Sequence, residues 1–136
     1  MIPAPERTAA EWGAVAIAIP GWEWRPGMLT QHRERVHEVG RGGYLLVVDD
    51  SDGDLLEVRA DDGGPRAPDP DDDATAGVLL ALFGPVQVSV LSQGSGLVFR
   101  ASFQGPWARP RVVEGRTLGR TLIAAAEIRG SWLGAL

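Results

Sequence analysis

Val86-Gln87-Val88-Ser89-Val90-Leu91-Ser92-Gln93-Gly94-Ser95-Gly96-Leu97-Val98-Phe99-Arg100-Ala101-Ser102-Phe103 is the stretch that decides the fold. Val86, Val88 and Val90 alternate with Gln87 and Ser89, the period-2 pattern of a half-buried strand. Leu97, Phe99, Ala101 and Phe103 alternate with Val98, Arg100 and Ser102 in the same way. Gln93-Gly94-Ser95-Gly96 between them reads as a hairpin connection. A further short strand is expected at Arg111 to Val113.

Helices flank this hairpin. On the N-terminal side, Asp71-Asp72-Asp73 caps a helix over Ala74 to Phe83, because carboxylates favour the positive end of a helix dipole. Gly84-Pro85 stops it. On the C-terminal side, Thr117 caps a last helix whose Leu118, Leu122, Ala125 and Ala126 face the core. The resulting α-β-β-β-α order resembles that of a double-stranded-RNA-binding domain. The Lys-rich helix end of that fold is missing, for the chain has no lysine.

Further out, Thr8-Ala9-Ala10-Glu11 is a capping box, followed by Trp12, Val15, Ala16 and Ile19 on one helical face. Pro20-Gly21 ends that helix. Pro26-Gly27 predicts a type II turn. Strands are expected at Met28 to Gln31 and Arg35 to Val39. Tyr44 to Val48 reads as a strand covered on both faces, and Leu55 to Arg59 as its return after the Asp52-Gly53 turn. Residues 61–73 read as a loop of six Asp, three Pro and two Gly with nothing that packs. The expectation is one domain over 1–136, of α+β class: an antiparallel sheet of meanders with three helices on one face, in the order α-ββββ-α-βββ-α.

Composition narrows the functions. With 136 residues, 44% of them hydrophobic, the chain can bury a core without staples. It has no cysteine, which excludes disulfides, thiolate metal sites and a cysteine nucleophile. The absence of a basic stretch before the first apolar run, and of any apolar run of spanning length, predicts a cytoplasmic protein without membrane attachment. All 13 basic residues are Arg, a composition typical of GC-rich genomes. Charge is split: residues 1–73 hold 16 acidic and 7 basic groups, residues 74–136 hold 2 and 6. That split reads either as a basic binding face or as two acidic turns, 49–54 and 61–73, in solvent. The acidic half argues against strong duplex nucleic-acid binding.

Two sets of residues are candidates for ligand contact. In the connector, Trp22 and Trp24 at i and i+2 project to one side, with Arg25 and Met28 beside them. They either stack on a planar ligand or cover the end of the core. In the C-terminal half, Trp107 with Arg109, Arg111, Arg116 and Arg120 offers cations for a phosphate-bearing ligand. Arg100 and Arg129 belong to the same basic set. No metal or cofactor is expected. Asp49 to Asp54 fails the EF-hand pattern, since aligning Gly53 puts Val48 and Arg59 at ligand positions. His32 and His37 fall on opposite faces of a strand. No serine has a nucleophile-elbow context, Gly40-Arg41-Gly42-Gly43 lacks the flanks of a phosphate loop, and no catalytic residue set assembles.

Trp22 to Met28, then Asp71 to Leu82, then Glu114-Gly115-Arg116-Thr117 before an Ala/Leu-rich helix, resemble small uncharacterised proteins of tailed phages and prophages of GC-rich bacteria. Gly119 and Arg120 depart from that pattern, which would have an Ala-Leu pair. The resemblance implies an accessory, anti-defence protein that acts by binding a host protein, an acidic DNA-mimicking face at 49–73 being one form. The alternative is an oligomeric sponge for a nucleotide or similar signal molecule, and a small hydrolase is the remainder.

Overall fold

A computed structural model of the protein describes residues 1–49, 52–61 and 66–132. Its elements are β1 (Ile2–Pro3), α1 (Ala9–Ala18), β2 (Glu34–Val39), β3 (Tyr44–Asp49), β4 (Leu55–Arg59), α2 (Asp73–Phe83), β5 (Gln87–Gln93), β6 (Gly96–Gln104), β7 (Pro110–Gly115) and α3 (Leu118–Arg129). The α+β class and the alternation of helices with meanders hold. The strands form two sheets, β1-β7-β6-β5 and β2-β3-β4. All pairings are antiparallel except that of β1 with β7.

Three local expectations change. Met28 to Gln31 is no strand: Leu29 and Thr30 make only isolated bridges, to Arg35 and Pro68. Ile2–Pro3 is a strand instead, too short to show any periodicity. β3 is covered on one face only, with Leu45 and Val47 buried and Tyr44 exposed.

α3 is the centre of the core. Residues 121–126 are all buried, and the helix packs on α1, α2, β6 and β7. Trp12, Leu79, Leu82, Phe83, Ala101, Phe103 and Val113 close around it. The capping box of α1 forms as its sequence requires, Thr8 Oγ1 accepting from the Glu11 N–H at 3.2 Å and Glu11 Oε1 from the Thr8 N–H at 3.1 Å. α2 starts on Asp72, which accepts from the Thr75 N–H and hydroxyl, both at 2.9 Å.

The acidic segment is the main correction. Residues 50–51 and 62–65, parts of the two acidic turns, lie outside the described residues. From Arg66 to Asp72 the chain does pack, with Pro68 and Pro70 buried. It runs between α1 and α3, each of which meets it with a glycine. A Cβ on Gly13 would lie 2.5 Å from the Pro68 carbonyl oxygen, and one on Gly119 only 1.8 Å from that of Pro70. The carboxylates then tie to arginines. Asp69 meets Arg33 at 3.2 Å, Asp71 meets Arg120 at 2.8 Å, and Asp72 meets Arg35. Composition hid this, because proline and aspartate mark turns whether or not the turn is pressed against a helix.

Candidate functional site

Among the described residues, nine of the 13 arginines sit on a carboxylate. Of the other four, three converge on one corner of the molecule: Arg109, Arg111 and Arg129. The corner is the β6–β7 connection, where Pro106–Ala108 makes a tight turn that is not helical at Trp107. The loop is closed by the Gly105 N–H donating to the Arg109 carbonyl at 2.8 Å.

Two residues here adopt left-handed backbone, Trp107 at φ 63° and Ala108 at φ 55°. For an L-residue that conformation costs about 1–2 kcal/mol, and for a bulky one it is an outlier. The strain has a visible result: Trp107 is held 93% exposed. Such strain is concentrated at functional positions.

Beneath the indole lies a concavity of about 570 Å³, lined by Pro85, Gln104, Gly105, Pro106, Arg129 and Ser131 among others. That volume is within the range of small-molecule sites, about 300–1,000 Å³. Arg111 lies opposite Phe103 across the β6–β7 ladder, and a Cβ on Gly105 would meet its Cγ at 2.6 Å. Gly105 therefore makes room for the Arg111 stem; Arg109 and Arg111 stand beside the lining residues and do not themselves line the concavity. Among the described residues Arg109 and Arg111 have no carboxylate partner. Arg129 is anchored differently. Its guanidinium lies 3.8 Å from the Phe83 ring centroid and donates to the carbonyls of Ser131 and Trp132. Burial pulls its pKa below the ordinary arginine value while leaving it a cation. No Asp or Glu occurs from Ala74 through Val113, so the sequence around the corner has nothing to neutralise these charges.

The other candidates go elsewhere. Arg120 is a structural residue: it grips Asp71 through two nitrogens, at 2.9 and 2.8 Å, and the Arg7 carbonyl at 3.2 Å. Its hydrogen bonds hold the Asp71 carboxyl below the usual carboxylate range. Arg116 pairs with Glu6 in a highly exposed contact, beside a separate cleft of about 230 Å³. In the connector, Met28 is fully buried and belongs to the core. Trp22 and Trp24 do share a side, their rings edge to face at 5.4 Å, and Trp22 also meets Trp132 at 5.8 Å. Both are half-buried against the core, and Arg25 is turned to Glu23 at 3.3 Å. The connector is thus a lid on the core more than a free aromatic wall. The Trp22 indole N–H is buried without a partner among the described residues. Pro85, Gln104 and Ser131 had no signal in the sequence, since only the fold brings them beside Trp107.

Among the described residues no helix is long and apolar enough to cross a membrane, and no three His, Asp or Glu side chains converge as metal ligands. Comparison with family models, curated proteins and solved structures finds no match to this chain. The site's own chemistry therefore carries the functional reading.

Proposed function

We propose that this chain is a binding protein and that the β6–β7 corner holds a small, planar, phosphate-bearing ligand of nucleotide type. The observation that carries the reading is a strained, highly exposed Trp107 lining a concavity of ligand size, with Arg109 and Arg111, which have no carboxylate partner among the described residues, just beyond it on the same β6–β7 connection. Trp107 supplies a stacking face, worth about 1–3 kcal/mol per base. Arg109 and Arg111 supply planar forks that match phosphate oxygens. Arg129 fixes the floor and adds positive field. Among the described lining residues Ser131 is the one hydroxyl and no His, Asp or Glu stands with it as a base, which favours sequestration over turnover and fits the phage-sponge reading.

A second reading rests on Trp107 alone. Exposed Trp beside Arg is the usual make-up of a protein-binding hot spot, so an acidic segment of a host protein would fit the same corner. Native mass spectrometry of protein purified from a bacterial host separates the two. A mass above whole multiples of 14.5 kDa, lost in Trp107→Ala, supports the small ligand. Clean multiples, with no nucleotide binding afterwards, refute it and favour the protein partner.

A further inference from the structure

β5 is an edge strand with none of the devices that protect the other sheet edges. The β1 edge is two residues long and contains Pro3. The β2 edge carries Glu34, Arg35, His37 and Glu38, and a register shift between Val36 and Glu38 bends it. The β4 edge carries Glu57 and Arg59. Charge, proline, shortness and bulges are the usual means of blocking strand addition. β5 is seven residues long, has no charge and no proline, and pairs with β6 without interruption from Gln87↔Ser102 to Gln93↔Gly96.

Its side chains are also uncovered. Six of its seven residues are exposed. α3 packs on β6 and β7 and leaves this strand bare. Val90 is 54% exposed and Leu97, two pairs further along the hairpin, 56%. The surrounding sequence is neutral as well, with no charged residue from Ala74 through Phe99. In a chain of net charge −5, this is the surface that can approach its own copy without repulsion.

We infer that β5 pairs with β5 of a second copy of this chain, in antiparallel register about a two-fold axis at Val90. The strand reads Gln-Val-Ser-Val-Leu-Ser-Gln, uncharged throughout and with a Gln at either end equidistant from Val90. Centred on Val90, Gln87 faces Gln93 of the second copy, Val88 faces Ser92, Ser89 faces Leu91, and Val90 faces itself. The free N–H and C=O groups of both edges then satisfy one another, and the two four-stranded sheets become one of eight. The two Val90 side chains meet at the axis on the helix side. A two-fold contact of this kind is self-complementary and closes, so it ends at a dimer. The inference is independent of any ligand at the β6–β7 corner.

Light scattering on the intact protein tests it, with a mass of two chains expected at micromolar concentration. Val90→Lys places like charges opposite one another and should weaken association about 100-fold or more. Because Val90 is exposed, the variant should keep the wild-type far-UV spectrum and melting behaviour as a monomer. Mixing Val90→Lys with Val90→Glu should restore a dimer, which separates lost pairing from lost folding. The register has its own check, because the chain has no cysteine. Val90→Cys should cross-link to itself under mild oxidation. Ser89→Cys and Leu91→Cys should cross-link when mixed and neither alone, since cross-strand partners lie within disulfide reach. A wild-type monomer at 100-fold higher concentration, a Val90→Lys protein that stays dimeric, or a β5 edge filled by a strand of a different protein would each overturn the inference.

Discussion

The arginines of the 66–72 segment and those of the β6–β7 corner are the same residue type put to opposite uses. Around the segment, Arg33, Arg35 and Arg120 are each committed to an aspartate, and the chain is pressed against two helices through glycines. At the corner, Arg109 and Arg111 have no carboxylate partner among the described residues and the backbone is strained to keep a tryptophan in solvent. Charge that stabilises is neutralised inside the molecule. Charge that is left over, on a rigid ladder beside a concavity, is available to a ligand. The difference predicts that changes in the first region lower stability, whereas changes in the second alter binding and leave stability nearly intact.

Gly119→Ala should have the largest effect. The new Cβ would fall 1.8 Å from a backbone oxygen that has no rotamer to move to. A loss of about 3 kcal/mol or more is expected, seen as a fall in the thermal midpoint of about 10 °C. A wild-type midpoint would mean that the 66–72 segment is not packed as described. Asp72→Ala comes next, because it removes the cap of α2 and the partner of Arg35 together. About 2 kcal/mol is expected by denaturant titration.

Acid should act on the same region. Burial alone would push the Asp72 carboxyl up, but hydrogen bonds from Arg35 and Thr75 outweigh it and hold it below the ordinary value of 3.8. Asp71 is held low as well, by Arg120. A carboxyl lowered by folding contributes stability that is fully present above its unfolded value and is lost as pH falls through the folded one. Stability should therefore decline from just below pH 3.8 downward, and Asp72→Asn should flatten that decline.

At the corner the signs differ. Trp107→Gly removes a left-handed bulky residue and should raise stability by about 1 kcal/mol while abolishing ligand binding. Arg109→Ala with Arg111→Ala should change stability by less than about 0.5 kcal/mol, as surface substitutions do. A double variant that unfolds would break the comparison.

Much of the fold was legible because its signals are local. The hairpin of β5 and β6, the capping box at Thr8 and the caps at Asp72 and Thr117 each need only a few neighbouring residues. What was hidden depends on residues far apart. Pro70 against Gly119 joins positions nearly fifty apart, and neither residue announces the other. That contact also accounts for Gly119 and Arg120 standing where an Ala-Leu pair was expected: one makes room for the Pro70 carbonyl, the other binds Asp71. The candidate site was half legible. Trp107, Arg109 and Arg111 were visible as a basic, aromatic stretch. Their separation from Arg116 and Arg120 was not, because free and neutralised arginines look alike until their partners are placed.

The central claim is that the corner binds a phosphate-bearing planar ligand, and calorimetric titration with a panel of nucleoside mono-, di-, tri- and cyclic phosphates tests it most directly. The account predicts saturable binding of at least one of them, weakened tenfold or more by Trp107→Ala and again by Arg111→Ala, with Trp24→Ala leaving it unchanged. No binding across the panel, or binding that survives both corner substitutions, would contradict it.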